Sequence, residues 1–588
     1  MFNRKQIILL IASLVSTVLF AQEREQDTLN PDVINVIKPY TPTISDAFKV
    51  KESPTLDDDE TLAKKDINYN IFSFPVASTF TPAKGKAAVV DKAKKMKLYD
   101  NYATLGVGSY TTVLGEVYLN HELGRGESVS AHLGHHSSQG GIDNVFVDDD
   151  FSDSKLNLAY SKRDKNMSWM LNGGFQLQKF NWYGLPSYLV GTSTIPTETV
   201  NGLDVGHTFT NAHIGGDISF EDSYFKSANV LFRRFGDNQG SGENRFVLKG
   251  VADIPIKDES LLTAVTLDYL GGGFDRNYFT DTELNYSNFQ LAVSPTYELK
   301  EDDLTVNLGA TLTYLNDGEA GANKFYIYPN ISASYRLLEE TVIAFGSVKG
   351  GLIQNSYYDY ASENAFVSPT LFIVPTDQQY NATVGFRGKL SNALSYVVSG
   401  SYKAERDKGL FQNNLVPYGF NSDEAYQYGN SFGIVYDDVN TFAIAGELKF
   451  DLNRNFTLGI KGEYFSYNTK GQEEAWNLPD IKASVFLDYQ ISQQWFAGAN
   501  IFYVGERKDL IGFNTVTNTT LPTFLNPTET VTLGAFLDVN AHLGYHLNER
   551  WSVYLKGNNL AEGTYNKWLN TRVQSVQVLA GATYKFDF

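Results

Sequence analysis

The chain has 588 residues, 67 acidic against 48 basic side chains, and no cysteine. A net charge of -19 argues against nucleic acid as a partner, because phosphate binding draws on clustered Lys and Arg. Without cysteine there are no disulfides, no thiolate metal sites and no lipid anchor on an N-terminal Cys.

The N-terminus reads Met1-Phe2-Asn3-Arg4-Lys5, then an apolar run from Ile7 to Phe20, then Ala21-Gln22. A basic start, an apolar stretch and a small residue at a cleavage position define a signal peptide over residues 1–21. That stretch falls short of the roughly 20 residues a membrane-spanning helix needs, and no later apolar run approaches such a length. The chain is therefore expected to be exported.

Residues 22–97 show no alternation. They carry Pro31, Pro39 and Pro42, an acidic run from Asp57 to Glu60 and a basic stretch from Lys84 to Lys97, the composition of an extended N-terminal segment that is periplasmic or folds into a lumen. Within it, Asp32, Val33, Ile34, Asn35, Val36 and Ile37 form a candidate coupling segment. A short apolar extended stretch of this kind can pair with a periplasmic energy-coupling protein by strand addition, and an ordinary linker is the alternative.

From about Asn101 onward, apolar and polar residues alternate, as in strands with two different environments. Leu304, Val306, Leu308, Ala310, Leu312 and Tyr314 share one face, and Thr305, Asn307, Gly309, Thr311 and Thr313 the other. Ala483, Val485, Leu487, Tyr489 and Ile491 repeat the pattern. A soluble sandwich has the same period, so the connections decide. Short turns near 124–126, 163–165, 222–224, 257–259, 301–303, 338–340, 391–392, 453–455, 492–494 and 548–550 are interspersed with long segments such as 138–152, 181–205, 352–378, 406–437 and 508–531. That asymmetry belongs to an outer-membrane barrel with its long loops outside the cell. Ten turns, with one further strand at each end, predict an all-β, transmembrane antiparallel barrel of about 22 strands over 98–588. The long loops offer aromatic side chains as candidate contacts for a bulky solute: Trp182, Tyr183, Tyr357, Tyr358, Tyr360, Tyr418 and Phe420.

No catalytic fingerprint stands in a fitting context, so no enzyme activity, cofactor or metal is expected. His132 and His136, like His542 and His546, share the lumen-facing parity of their strands, but those strands lie too far apart to gather the three or four ligands a metal needs. Asp148, Asp149, Asp150 and Asp153 read as a solvated acidic loop before a calcium site.

The final strand keeps Val576, Val578, Ala580, Ala582, Tyr584, Phe586 and Phe588 on one face. Its terminal aromatics Tyr584, Phe586 and Phe588 resemble the recognition strand of proteins handled by the barrel-assembly machinery. Together with Tyr436-Asp437-Asp438-Val439, the turn 548–550 leading into Trp551, and Gly557-Asn558-Asn559-Leu560 followed by Tyr565, it makes the segment from Tyr436 to the end resemble the barrel of TonB-dependent receptors, particularly those of the Bacteroidota. The resemblance implies a 22-stranded outer-membrane barrel, surrounded by lipid, that binds or takes up a bulky solute with help from a periplasmic coupling protein. The chain departs from that family in one respect. A plug domain of well over one hundred residues precedes the family's barrel, and only about 75 mature residues precede this one. The alternative function is that of a non-transporting scaffold or accessory subunit in an outer-membrane complex.

Overall fold

The computed structural model describes residues 97–588 except 193–194, 258, 418–423, 454, 513–514, 517–523, 526–527 and 562. The signal peptide, the segment Asp32 to Ile37 and nearly all of a separate unit, Asn35–Leu98, lie outside the described residues.

The described chain forms a closed antiparallel barrel of 22 strands. In chain order these are β1 Asn101–Gly108, β2 Thr112–Gly124, β3 Glu127–Ser138, β4 Phe151–Arg163, β5 Met167–Asn181, β6 Gly206–Phe220, β7 Phe225–Asp237 and β8 Gly242–Ile256. There follow β9 Glu259–Phe274, β10 Leu284–Glu301, β11 Leu304–Asp317, β12 Ala322–Leu338, β13 Val342–Ile353, β14 Thr376–Ser391, β15 Leu394–Asn413 and β16 Phe432–Asn453. The wall ends with β17 Phe456–Thr469, β18 Ile481–Gln490, β19 Trp495–Val504, β20 Phe536–His546, β21 Trp551–Asn558 and β22 Gln577–Phe586. Every strand pairs with its sequence neighbour, and β22 pairs with β1 in register from Asn101↔Phe586 to Gly108↔Leu579. Thr104 and Thr583 share a hydroxyl hydrogen bond of 2.9 Å across this seam.

All ten short turns fall where the sequence places them, at one end of the barrel. Several adopt the left-handed backbone that tight hairpins require: Gly126 at φ 73°, Lys257 at φ 59° and Asp302 at φ 44°. The alternation is borne out in the wall. Leu312 is 49% exposed on the outer face, while its neighbour Thr313 is 3% exposed. In β22, Val578 faces out and Thr583 is fully buried.

The strands are not equally long. β15 and β16 run for 20 and 22 residues, twice the roughly 9–11 that cross a bilayer, so strand takes both ends of the connection expected over 406–437 and its loop shrinks to 414–431. The other long connections, 139–150, 182–205, 275–283, 354–375, 470–480, 505–535 and 559–576, leave the same end of the barrel. Two carry short helices, α1 Thr197–Asn201 and α2 Tyr357–Glu363.

Closure leaves little room at the seam. A Cβ on Gly581 would run into the Tyr554 ring and lie 2.6 Å from the Leu105 carbonyl. Gly581→Val is expected to cost about 1–3 kcal/mol through overpacking, read as a lower temperature for loss of the compact gel mobility of the folded barrel; unchanged mobility would show that the seam has slack.

Candidate functional site

The structure gathers its long loops into one feature, a cluster across the mouth of the barrel. Each wall residue in it sits at the long-loop end of its strand: Phe209 in β6, Phe235 in β7, Leu270 and Phe274 in β9, Tyr286 in β10, Phe411 in β15 and Phe432 in β16. Strands β7 and β16 are nine places apart in a ring of 22, so an apolar cluster touching both must cross the lumen. The bridge is loop 354–375, contributing Tyr357, Tyr360, Ala361, Val367, Leu371 and Ile373, joined by Leu533 and by Trp568 and Leu569 of loop 559–576.

The ring contacts trace the crossing. Tyr357 lies edge-on to Phe274 at 5.0 Å and to Phe235 at 5.1 Å. Tyr360 meets Phe411 at 5.8 Å, and Phe411 meets Trp568 at 5.0 Å. Aromatic pairs of this kind contribute roughly 0.5–1.5 kcal/mol each beyond their burial. Two satellite clusters extend the cap, Trp182 with Val205, Tyr278 and Tyr426, and Leu185 with Ile195, Val200 and Tyr428.

Polar anchors fix α2 to the wall. Ser356 caps its first turn, its Oγ accepting from the Asp359 amide at 3.0 Å. The Glu243 carboxylate, 1% exposed, accepts from the Tyr357 amide at 2.6 Å, the Tyr358 amide at 3.4 Å and the Tyr286 hydroxyl at 2.8 Å. Asp237 accepts from the Tyr357 hydroxyl at 2.6 Å. Burial, with this carboxylate beside it, holds the Tyr357 phenol well above the ordinary tyrosine range, so it stays a donor. Arg245 grips Asp268 of β9 at 2.8 and 3.1 Å and reaches Asp359 of α2 at 3.1 Å, while Arg233 lies 3.8 Å over the Tyr358 ring.

The remaining loops are tied to one another. Asn430 donates to the Trp182 carbonyl at 2.7 Å, the Tyr183 hydroxyl to the Arg572 carbonyl at 2.7 Å, and Arg276 pairs with Glu424 at 2.8 Å. At the far end of α2, Glu363 faces Lys482 and Lys567; burial outweighs their attraction and lifts its carboxyl to about 8.

Trp182 and Tyr357, expected as solute contacts, are at most 1% exposed, and Tyr183 and Tyr360 are also buried. In this conformation their surfaces pack the cap. Tyr358 is half-buried under Arg233, and Tyr418 and Phe420 lie outside the described residues. Tyr584 and Phe586 stack at 5.5 Å on the outer face of β22, and Phe588 follows at 5.7 Å from Phe586. His132 hydrogen-bonds Glu116 at 2.8 Å. The acidic stretch is engaged locally: Asp149 takes the Ile142 amide at 2.8 Å and Asp150 pairs with Lys179 at 3.4 Å. Among the described residues no group of three His, Asp or Glu side chains is placed to hold a metal ion.

Sequence reasoning missed the wall half of the cap. The signal for it was an aromatic in an inward register where polar lining is the rule: His207, Phe209 and Asn211 share one buried face of β6. The anchors Asp237, Glu243 and Arg245 carried no local signal, because they flank a four-residue turn and find partners more than one hundred residues away.

Two outcomes follow for the cap. Tyr357→Ala is expected to cost about 3–5 kcal/mol of local packing and to speed protease cleavage within 354–375 while the barrel keeps its heat resistance; equal cleavage rates would show that Tyr357 does not hold the loop. Because the Glu363 carboxyl is raised from its ordinary 4.5 to about 8 in the closed cap, closure is strongest at low pH, weakens as pH rises between those two values and levels off above about 8. Cleavage should therefore accelerate as pH rises toward about 8 and level off beyond it, and Glu363→Gln should remove the dependence.

No family model matches the chain and no curated protein matches it. Solved structures do. The siderophore receptor PirA from Acinetobacter baumannii aligns with a TM-score of 0.60 at 11% identity, covering 84% of this chain and 81% of that one. The ferripyoverdine receptor of the outer membrane of Pseudomonas aeruginosa, bound to ferripyoverdine, aligns at 0.59 and 13% over 84% and 72%. The ferric-catecholate import receptor Fiu from Escherichia coli K12 aligns at 0.55 and 12% over 84% and 82%. At such identities the likeness is one of fold: the closed 22-stranded barrel seen here matches the barrels of those receptors.

Proposed function

We propose that this chain is an exported outer-membrane protein, similar to TonB-dependent receptors, that binds a bulky solute at its loop-lined mouth and takes it up. The observation that carries the reading is the pairing of a 22-stranded receptor-type barrel with a loop cap across its mouth. A barrel of this strand number encloses a lumen wide enough to leak unless something fills it, and a closure built from loops can be moved by what binds to them.

In this reading the long loops face the outside and the short turns the periplasm. Lipid surrounds the wall. The aromatic set Trp182, Tyr183, Tyr357, Tyr358, Tyr360, Tyr418 and Phe420 meets the solute when the loops part. Asp32 to Ile37 offers an added strand to an energy-coupling protein, and Tyr584, Phe586 and Phe588 address the barrel-assembly machinery.

The test is uptake in cells. Deleting residues 32–37, or the coupling system itself, should abolish accumulation of the solute and leave its surface binding intact; accumulation that continues unchanged would sink the reading. Removing Phe588 should cut the amount of assembled barrel several-fold at equal synthesis, measured by the heat-resistant gel band, and a normal yield would remove the assembly role. The apolar cap core also fits a barrel that transports nothing and serves as a scaffold. Purification in mild detergent separates the two, since a scaffold comes away with a stoichiometric partner and binds no solute.

A further inference from the structure

The cap has two unlike faces. On one, Tyr357, Tyr360 and Ala361 pack against Phe209, Phe235, Phe274 and Phe411, an apolar burial that favours closure without regard to direction. On the other, α2 hangs from the β7–β8 hairpin through Asp237, Glu243 and Arg245. This second face works differently. The Asp237 and Glu243 carboxylates are withdrawn from solvent, and a dehydrated carboxylate is tolerated only while donors surround it. The Gln239 and Ser241 amides stay on Asp237 and the Tyr286 hydroxyl on Glu243, while the remaining donors, the Tyr357 hydroxyl and the amides of Tyr357 and Tyr358, belong to α2. When α2 leaves, both carboxylates regain water, and their rehydration offsets part of the cost of exposing the apolar face.

Other charges bear on the balance. His207 stands 3.6 Å from Asp237, inside the stack between Trp182 and Phe209. Arg245 divides its guanidinium between Asp268 of the wall and Asp359 of the helix, so it can keep its wall partner as the helix departs. Lys482 and Lys567 face Glu363 at the opposite end.

We propose that α2 is an autoinhibitory latch: its hold on Asp237, Glu243 and Arg245 keeps the mouth shut, and its release swings loop 354–375 out and opens the lumen. The latch deepens the uptake reading and rests on it for what passes through, while the closing interaction belongs to the barrel alone.

The absence of cysteine makes a clean test available. Ala361 is buried against the apolar face, so in the full-length chain Ala361→Cys reacts with a membrane-impermeant maleimide when α2 has left the mouth. The labelling rate then follows the open population. Glu243→Ala, which strands three donors, should raise that rate by about tenfold or more, and Tyr357→Phe, which removes one donor to Asp237 and leaves the Gln239 and Ser241 amides in place, by about threefold or more. Equal rates in all three backgrounds would overturn the latch. Should Glu243→Ala fail to assemble, judged by its heat-resistant gel band, Tyr357→Phe keeps the fold and decides alone. No solute enters the assay. A barrel that accumulates nothing leaves the latch standing, and unchanged labelling removes the latch while leaving uptake to its own test.

Discussion

Closure of the sheet is the constraint from which everything else follows. In hydrocarbon every backbone N–H and C=O must find a partner within the protein, and a sheet does this only when its first and last strands meet. Here β1 and β22 meet over eight residue pairs, so no edge is left in the wall. Closing the ring at 22 strands fixes its circumference, and with it a lumen that side chains from the wall alone do not fill. The protein has to put something there, and at the long-loop end it puts its own loops.

That choice explains the character of those loops. A solvated loop tends to be polar, whereas these carry Trp182, Tyr357, Tyr360, Leu371, Ile373 and Trp568, all buried. They behave as core segments delivered from above. The long strands β15 and β16 rise past the depth a bilayer needs and present Phe411 and Phe432 to them. On the opposite arc the tight β7–β8 turn keeps Asp237 and Glu243 close together, giving α2 a rigid polar seat. Wall and loops thus divide the work, the apolar side supplying adhesion and the hairpin supplying registration.

The barrel was legible in the sequence because its signals are local. Alternation is read two residues apart, and a turn is read from three or four residues. Leu312 beside Thr313 and the ten tight turns needed no knowledge of distant chain. The cap was not legible, for the opposite reason. Trp182 and Tyr357 were conspicuous as aromatic loop residues, but whether such a residue faces a solute or a neighbour depends on partners such as Asn430 or Glu243, 248 and 114 residues away. Inward aromatics at strand ends, Phe209 above all, were the available hint, and the polar-lumen rule hid them.

The same physics bears on how far the likeness to receptor barrels reaches. A barrel wall is specified by period and closure, which many sequences satisfy, so agreement at TM-scores of 0.55 to 0.60 coexists with identities of 11 to 13%. The cap is specified by particular pairs, Glu243 with the start of α2 and Arg245 with Asp359, and a substitution at any of them has no equivalent nearby to replace it. What individualises this protein is therefore concentrated where the chain crosses the mouth. The wall, by contrast, asks for little beyond an alternating period, save at crowded points such as Gly581 beside Tyr554.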